Sequence, residues 1–255
     1  MNNMDGRERQ LAIAESVRRD GRVQVKALAE VFRCSEMTVR RDLEALEATG
    51  LLRRVHGGAV RLFLGAEDTP FELRALERTE AKRAVAAAVA GLLIDGETVV
   101  LDGGTTAVEI ARAVRDRRLT VMPLALRPLT ELLDLEQVQV LVPGGEVRPG
   151  EHSFTGSLAE AAFEHLRFDT CVLSSCGVDV RQGVTDNLLS EVAVKRAAAA
   201  SAQRIILAVD SSKLGKVAFG HICPVTAIDV LVTDSSASPQ AVQELRDADI
   251  DVRIA

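Results

Sequence analysis

The chain of 255 residues lacks the features that mark membrane, secreted and metal-binding proteins. No apolar run approaches the roughly 18 residues of a membrane-spanning helix, so we expect no membrane segment and no membrane partner. The first ten residues, MNNMDGRERQ, contain no apolar leader core, so we expect no secretion signal and a cytoplasmic protein. The four cysteines show no metal-ligand pairing, and we expect small buried side chains without a disulfide at Cys34, Cys171, Cys176 and Cys223.

Sequence fingerprints for nucleotides and zinc are absent as well. Neither GxGxxG nor GxxxxGK[ST] occurs, so no nucleotide cofactor is predicted. The four histidines have no zinc spacing. His152 and His221 are expected to be ordinary surface residues, the alternative being that they line the mouth of a ligand pocket. We therefore predict no cofactor, no metal and no catalytic residue.

The charge is divided unevenly along the chain, whose formal net charge is −6. Residues 1–61 contain 12 Lys and Arg against 9 Asp and Glu, a net charge of +3, whereas the remainder carries −9. A basic head on an acidic body is expected when only the head meets nucleic acid. The length indicates two domains, and 47% hydrophobic residues are enough for a sizeable core.

Hydrophobic spacing predicts two helices at the start of the basic head. The first spans Arg7–Arg19 and ends at Asp20–Gly21. Val23 and Val25 then alternate with polar residues, as in a short strand. The inward face of the second helix is expected to consist of Leu28, Val31 and Phe32.

A third helix and a β-hairpin follow. Ser35 is a suitable N-cap, because its hydroxyl can accept a hydrogen bond from a first-turn amide. Gly50 ends this helix, and residues 51–55 and 59–62 are predicted strands around His56-Gly57-Gly58. One face of the helix is apolar and consists of Val39, Leu43 and Leu46. This order of elements is typical of a winged helix-turn-helix.

The exposed face of the third helix and the hairpin carry the residues expected to contact DNA. A helix fits the major groove with side chains near its start at base edges, so Thr38 and Arg41 are predicted to read bases. Arginines placed further back are better suited to phosphates, which fix register without reading sequence. The alternative is a helical oligomerisation module whose arginines are solvated. The predicted DNA-binding set is Ser35, Thr38, Arg40, Arg41, Arg53, Arg54 and His56.

The stretch SEMTVRRDLEALEATGLLRRVHGGA, residues 35–59, resembles the N-terminal signature of the DeoR family of bacterial transcriptional regulators. The resemblance extends over the predicted DNA-binding domain, residues 1–61. One departure is Arg33, at a turn position where helix-turn-helix proteins often have glycine. This departure costs little provided that the local backbone avoids positive φ.

Residues 62–80 are predicted to be a linker that ends in a short helix, and residues 81–255 an α/β domain. The linker has Gly65, Pro70 and no sustained periodicity. In the body, apolar runs alternate with helical patterns, which predicts a mostly parallel, Rossmann-like sheet. Seven strands are predicted, at Thr98–Leu101, Leu119–Leu124, Val138–Val142, Thr170–Ser174, Ile205–Val209, Val230–Thr233 and Asp251–Ile254. Helices are predicted notably at Lys82–Leu93, Thr106–Val114, Leu158–His165 and Glu191–Ala202.

Several of these strands end in residues suited to hold a phosphorylated small molecule. The first strand is followed by Asp102, Gly103, Gly104, Thr105 and Thr106. Glycines let the backbone approach an anion, and the start of a helix offers free amides in a favourable dipole. Asp102 would repel a phosphate, so it is expected to accept a hydrogen bond from a sugar hydroxyl.

The residues that follow the other strands are expected to join this site, because the carboxyl ends of parallel strands meet at one edge of a sheet. They are Gly144 and Gly145, the segment Ser174–Gly177, Asp210 and Lys213. Lys213 would neutralise a phosphate. The alternatives are that the glycines only form turns, that Asp210 caps a helix and that Lys213 is a solvated lysine.

The body also resembles the DeoR-type sensor domain, which is similar to ribose 5-phosphate isomerase. The resemblance rests on DGGTT (102–106), PGGEVRPGEHSFTG (143–156), CGVD (176–179), GVTDNLLSEVAVKRA (183–197) and DSSKLG (210–215). It implies that a phosphorylated sugar or related metabolite binds here and changes affinity for the operator. It further implies that the DGGTT loop and Lys213 hold this effector, with Glu191 and Lys195 close by.

Two departures from that pattern limit what is expected of the site. Where family members commonly have Thr-Asn after the second strand, this chain has Pro123 and Leu124, so we expect an amide contact to the ligand to be lost, with a degenerate pocket as the alternative. The glycine-rich, lysine-bearing catalytic loop of the isomerase is not visible near Gly183-Val184-Thr185. Without a placed acid and base, sugar isomerisation is not expected.

The sequence therefore predicts a DNA-binding repressor of a sugar or carbon metabolism operon, controlled by a phosphorylated sugar. Its partners would be a double-stranded operator and a second copy of itself in a dimer or tetramer, because one head covers too few bases. One alternative is a sugar-phosphate isomerase with an appended head. Another is a regulator with a degenerate pocket that senses no small molecule and acts through protein contacts.

Overall fold

A computed structural model describes residues 5–48, 52–60 and 71–255, which form two compact units, one up to Leu73 and one from Arg74 onward. The first unit is a three-helix domain with a small sheet. Its elements are α1 (Gly6–Asp20), β1 (Arg22–Gln24), α2 (Val25–Val31), α3 (Glu36–Ala48), β2 (Arg53–Val55) and β3 (Gly58–Val60). This order confirms the predicted winged helix-turn-helix.

The core of the first unit joins the apolar faces of its helices. Ile13 and Val17 of α1 pack with the predicted stripe Val39, Leu43 and Leu46 of α3, and all five are buried. The helix α1 ends as predicted, because Gly21 adopts a φ of 72° and donates its amide to the carbonyl of Val17.

Three expectations for the second helix and its turn are wrong. Val31 is 72% exposed, because the helical period places it well off the line of buried Val25 and Leu28. Val25 begins α2 and does not continue the strand. Arg33 has a φ of 50°, so the arginine does occupy the left-handed conformation that glycine adopts more easily.

The predicted hairpin forms the wing. The strands β1, β3 and β2 lie in that order in one antiparallel sheet. Gly58 belongs to β3 and not to the turn, and a Cβ there would lie 1.9 Å from the carbonyl oxygen of Val23. Glycine therefore permits β1 to approach the hairpin. The predicted strand residues Leu51, Arg61 and Leu62, and also Gly50, Gly65 and Pro70, lie outside the described residues.

The boundary between the units falls within helix α4 (Phe71–Leu76). The helices that follow are α5 (Thr79–Leu92), α6 (Gly104–Ala113), α7 (Leu126–Leu132), α8 (Ser157–His165), α9 (Leu189–Ser201) and α10 (Pro239–Arg246). The central strands are β4 (Thr98–Leu101), β5 (Leu119–Pro123), β6 (Val138–Val140), β9 (Phe168–Leu173), β12 (Ala202–Ala208), β14 (Val230–Thr233) and β15 (Asp251–Ile254). All seven predicted strands are thus present, with ends shifted by at most three residues.

These seven strands form one parallel sheet in the order β15-β14-β12-β9-β4-β5-β6. Successive residues of β4 enter different cores, since Val99 and Leu101 pack beneath α5 and α6 whereas Val100 packs beneath α8 and α9. A sheet covered by helices on both faces explains why its strands read as continuous apolar runs. The predicted α/β class is confirmed.

The chain reverses its direction across the sheet next to β4. From β4 it proceeds through β5 to β6 on one side, and it then returns to β9 on the other side. Such a switch point leaves a crevice at the carboxyl ends of the two strands, where ligands bind in open α/β sheets. The loops after Leu101 and Leu173 flank this crevice.

Two small antiparallel sheets were not predicted. One pairs β7 (Glu146–Val147) with β8 (Phe154–Thr155), and the other joins β10 (Gly177–Asp179), β11 (Gly183–Asp186) and β13 (Gly220–Cys223). Both lie in stretches where the sequence shows glycines and mixed polarity without a regular alternation. In the described part of the chain, no helix has the length and apolar character needed to cross a membrane.

We expect Arg33→Gly to stabilise the first unit by about 0.5–1 kcal/mol. A non-glycine residue in the left-handed region is strained by roughly 1–2 kcal/mol, and glycine removes this strain. Part of the gain is lost because glycine has a higher conformational entropy in the unfolded chain. Urea denaturation followed by circular dichroism measures the change. The control is Arg7→Gly in the exposed face of α1, which should destabilise. A loss of stability in Arg33→Gly would contradict the assignment of strain to this turn.

Candidate functional site

The predicted recognition helix begins with the expected cap. The Oγ of Ser35 accepts a hydrogen bond from the amide of Thr38 at 3.1 Å, and the two side-chain oxygens lie 2.9 Å apart. Ser35 and Arg41 are exposed, and Thr38 is half-buried. Arg40 is also exposed and lies 3.4 Å from Glu36 one turn earlier. The first two turns of α3 thus present polar groups on the surface opposite the buried stripe.

The wing is held against the second half of the same helix. The backbone amide of Arg54 donates to Glu47 at 2.7 Å, and its guanidinium lies 3.7 Å from Glu44 and 3.4 Å from a second oxygen of Glu47. Arg53 and His56 are exposed on the hairpin. The structure therefore brings the predicted wing residues next to α3, with Arg54 engaged in that attachment.

A buried ion pair that sequence reasoning missed fixes the orientation of α3. Asp42 is 4% exposed and accepts hydrogen bonds from Arg9 at 2.6 Å and Gln10 at 3.1 Å. The hydrogen bond with Asp42 raises the pKa of Arg9, so the guanidinium stays charged. The signal in the sequence is a carboxylate on the inward side of α3, beside Leu43.

The centre of the second unit's candidate site is a buried lysine between two aspartates. Lys195 Nζ lies 2.9 Å from Asp102 and 2.6 Å from Asp186, and it also faces the carbonyl of Ser174 at 3.4 Å. Asp102 further accepts from the amide and hydroxyl of Ser174, at 2.8 and 2.9 Å, and from the amide of Gly103 at 2.7 Å. These bonds join the loops on the two sides of the switch point.

The electrostatics of this cluster favour a charged lysine. Burial lowers the pKa of Lys195, but the carboxylates of Asp102 and Asp186 outweigh it and raise that pKa well above its ordinary value. Burial raises the pKa of Asp102, against the attraction of Lys195. The pKa of Asp186 is lowered overall, since Lys195 and two hydrogen bonds prevail over burial.

Asp102 is placed differently from the sequence-based expectation. It is 1% exposed, and its oxygens are directed at protein donors. This geometry does not present a carboxylate to a sugar hydroxyl, because a ligand would have to displace Ser174 or Gly103. Asp102 instead positions Lys195 and the two loops.

The start of α6 keeps the features of an anion site. Its N-cap is Gly103, which has no side chain with which to accept the first-turn amides. Gly104 adopts a φ of 85°, and Thr105 and Thr106 are buried in the first turn. The free amides and the helix dipole both favour a negative group at this position.

Glu191, expected close to the effector, is held by two residues that sequence reasoning missed. Arg148 Nε donates to it at 2.8 Å and Ser153 Oγ at 2.6 Å. Both partners come from the β7–β8 hairpin and its flank. The exposed His152 adjoins Ser153 in sequence, and His221 is exposed as well, in keeping with ordinary surface histidines.

In the loop after β12, Asp210 is a cap, which is one of the two roles weighed for it. Its carboxylate caps the short 3-10 turn Ser211–Lys213 by accepting from the amide of Ser212 at 2.9 Å. It also lies 3.8 Å from the guanidinium of Arg78. Lys213 ends this turn and is half-buried. Asp210 thus acts as a cap, and Lys213 stays available to a ligand.

Two of the predicted glycines permit a close approach of the backbone. A Cβ on Gly145 would lie 2.4 Å from the carbonyl of Thr155, and one on Gly177 would lie 2.3 Å from that of Lys216. Gly144, next to Gly145, adopts a φ of 83° and is exposed. The positive φ of Gly144 and Gly145 fits the alternative that these glycines form a turn, whereas Gly177 begins the strand β10.

The departure at Pro123 and Leu124 lies beside the anion site. Both residues are buried at the end of β5, and Leu124 donates its amide to the carbonyl of Leu101 at 2.8 Å. The following Ala125 is the neighbour that a Cβ on Gly103 would meet at 3.3 Å. The side of the crevice formed by the second strand is therefore apolar here.

The four cysteines form no disulfide. Cys171 and Cys223 are buried and free, as expected, and burial raises the pKa of both thiols. Cys34 and Cys176 form no disulfide and are only half-buried, so the expectation of burial is wrong for them.

We expect Lys195→Met to destabilise the second unit by about 3–5 kcal/mol, because removing the lysine leaves two buried carboxylates without their cation. Guanidinium denaturation followed by circular dichroism measures this loss. Lys213→Met is the matched control, and because Lys213 is half-buried in a surface loop its effect should stay within about 0.5 kcal/mol. Equal, small effects of the two substitutions would show that the cluster does not hold the loops together.

Comparisons with known proteins agree with this arrangement. Residues 9–62 match the DeoR-like helix-turn-helix domain, and residues 77–235 match the DeoR C terminal sensor domain. The chain is 36% identical to the transcriptional repressor AccR of Agrobacterium fabrum, over 89% of each protein. It is 34% identical to the HTH-type regulator YulB of Bacillus subtilis, over 96% of this chain and 95% of that one.

The glycerol-3-phosphate regulon repressor of Escherichia coli K12 is 29% identical over 97% of this chain and 98% of its own. Among solved structures, ribose 5-phosphate isomerase A of Methanocaldococcus jannaschii has a TM-score of 0.41 and 14% identity, over 54% of this chain and 55% of that one. The two domain matches and the full-length relatives indicate the same family. The chain belongs to the DeoR family of transcriptional regulators.

Proposed function

We propose that the protein is a repressor that binds operator DNA through α3 and the wing, and that a phosphorylated sugar at the switch point changes this affinity. The observation that carries the proposal is the uncapped start of α6, held between two loops by the Lys195 cluster, in a chain that also has a DNA-binding head. Relatives named as repressors of a glycerol-3-phosphate regulon and of a lactose phosphotransferase system support this class of effector.

On the DNA side, we assign base reading to Thr38 and Arg41. They lie one turn apart on the exposed face of α3, near the start that enters a major groove. Arg40, Arg53 and His56 are exposed and suit phosphate contacts. Arg54 is ion-paired with α3, so its main role is to orient the wing.

We expect Arg41→Ala to weaken operator binding by about 1–3 kcal/mol and to relax specificity at one base pair. The operator is obtained by selection from random DNA and titrated by fluorescence anisotropy. Arg253→Ala, an exposed arginine of the second unit, is the control and should bind as wild type. With about six phosphate contacts, the slope of log K against log salt should be near −5. Binding without preference over random DNA would refute the proposal.

On the effector side, we place the anionic group at the first-turn amides of Gly104–Thr106, with Lys213 as the neutralising charge. The apolar surface at Leu124 and Ala125 favours a ligand that presents few hydroxyls on that side. Lys195 and Asp102 act indirectly, by fixing the loops. Glu191 borders the site through its contacts with Arg148 and Ser153.

We further propose that this site binds its ligand without turning it over. The two groups nearest to acid–base function are already engaged, Lys195 with two aspartates and Glu191 with Arg148 and Ser153. A group that transfers a proton must reach the substrate. The ion pairs and hydrogen bonds of Lys195 and Glu191 oppose this, because they engage both side chains with other protein groups. Ribose 5-phosphate incubated with the protein should therefore stay unconverted.

We also propose that the protein is a cytoplasmic homo-oligomer, in which two heads bind two half-sites of the operator.

We expect one compound in a panel of phosphorylated sugars and polyols to raise the thermal stability of the second unit. At about 100 times its Kd, a ligand adds roughly 2.7 kcal/mol to the folded state. Lys213→Met should remove this effect, whereas Lys216→Met, an exposed lysine three positions later, should keep it. If no compound shifts the melting temperature, the pocket is degenerate and the regulator senses something else.

A further inference from the structure

The segment from Arg74 to Arg78, which we call the connector, contacts the same loops that form the effector site. It belongs to the stretch expected to be a linker. Arg74 donates to the carboxylate of Glu151, and the two side chains are only 21% and 10% exposed. Arg78 Nη1 donates to Ser211 Oγ at 2.7 Å, in the loop that ends at Lys213. The connector is therefore fastened to the sensor unit at both ends.

Lys82 fastens the backbone of the connector as well. Its Nζ donates to the carbonyl oxygens of Arg74 and Glu77, the latter at 2.6 Å. Lys82 is buried, and burial together with the positive charges of Arg74 and Lys213 lowers the pKa of Lys82 to about 8, against the opposing effect of Asp210. The positive groups of Arg74, Lys82 and Lys213 thus lie within electrostatic range of one another.

Arg74 also reaches the proposed anion site. Its Nη1 lies 3.9 Å from the position that a Cβ on Gly104 would occupy, at the first residue of α6. An anion that accepts hydrogen bonds from the first-turn amides is therefore within reach of the guanidinium. Phosphate and carboxylate match the fork of an arginine in the same way, so a bound phosphate competes with Glu151 for Arg74.

We propose that an anionic effector at the start of α6 draws Arg74 away from Glu151 and thereby releases the connector that leads to the DNA-binding unit. This inference rests on the proposed function, since it names how that site regulates DNA binding. Arg74 is the first residue of the sensor unit, so a displacement of Arg74 displaces the chain that continues into the head. Glu151 holds the connector in place in the absence of the effector.

Substitutions of the two partners have opposite expected effects on anion binding. With inorganic phosphate and the full chain, Arg74→Gln should weaken phosphate binding about tenfold or more, because a charged hydrogen-bond donor is lost. Glu151→Gln should strengthen it several-fold, because the guanidinium no longer has a charged competitor. Isothermal titration calorimetry measures both. A purely structural ion pair would weaken phosphate binding, or leave it unchanged, in both variants, and that result overturns the proposal.

The matched control is Arg112→Gln, which removes an ion pair of 2.7 Å with Glu131 at the other end of the same helix. It should bind phosphate as wild type does. Arg74→Lys retains the charge without the fork and should recover part of the affinity. Circular dichroism of each variant establishes that it is folded before titration.

The proposed effect of the anion on DNA binding is tested by titrating the selected operator at constant ionic strength, with and without phosphate. Phosphate should change the operator affinity of wild type, should act at lower concentration on Glu151→Gln, and should have no effect on Arg74→Gln. If wild type binds no phosphate, the proposed effector site fails and this inference with it. If phosphate binds and Arg74→Gln still responds like wild type, the inference alone is overturned.

Discussion

The structure of the sensor unit depends on one buried cation between two carboxylates. Lys195, from α9, lies between Asp102 at the end of β4 and Asp186 at the end of β11, and Ser174 after β9 completes the contact. Asp102 and Ser174 are 72 positions apart in sequence, and the hydrogen bonds of the cluster join the loops that carry them. The ion cluster therefore sets the separation of the two loops at the switch point. The uncapped start of α6 keeps its place because Asp102, directly before it, is fixed by this cluster.

The charged residues at this edge of the sheet therefore have two different roles. The buried side chains of Asp102, Asp186 and Lys195 bind one another and hold the loops in place. Arg74 and Lys213 are half-buried at the edge of this cluster, which we call the rim, and Arg74 is paired there with Glu151. A ligand that meets the rim need not disturb the scaffold. Because Arg74 is also the first residue of the connector, we propose that ligand binding at the rim is coupled to DNA recognition. The head has its own scaffold pair, Arg9 with Asp42, which holds the reading helix in place.

Much of this was predictable from the sequence because it follows from local patterns. Seven apolar strands and the stripe of α3 are periodic signals, and parallel strand ends must share an edge, which placed Asp102 and Lys213 in one region. The small sheets around β7 and β10 gave no periodic signal. The role of Asp102 and the contacts of Arg74 depend on partners 70 or more positions away, which no local pattern specifies. The positive φ of Arg33 has no signal in the sequence, because residues other than glycine rarely adopt it.

The central claim is that the effector site and the DNA-binding head are energetically coupled through the connector. The most direct measurement compares two ratios for the full chain. One is its operator affinity with saturating effector divided by that without effector, and the other is its effector affinity with saturating operator divided by that without operator. Linkage requires both ratios to be equal, and the account predicts a common factor of roughly 5–150. A factor of one in both titrations, with both ligands bound, would contradict it.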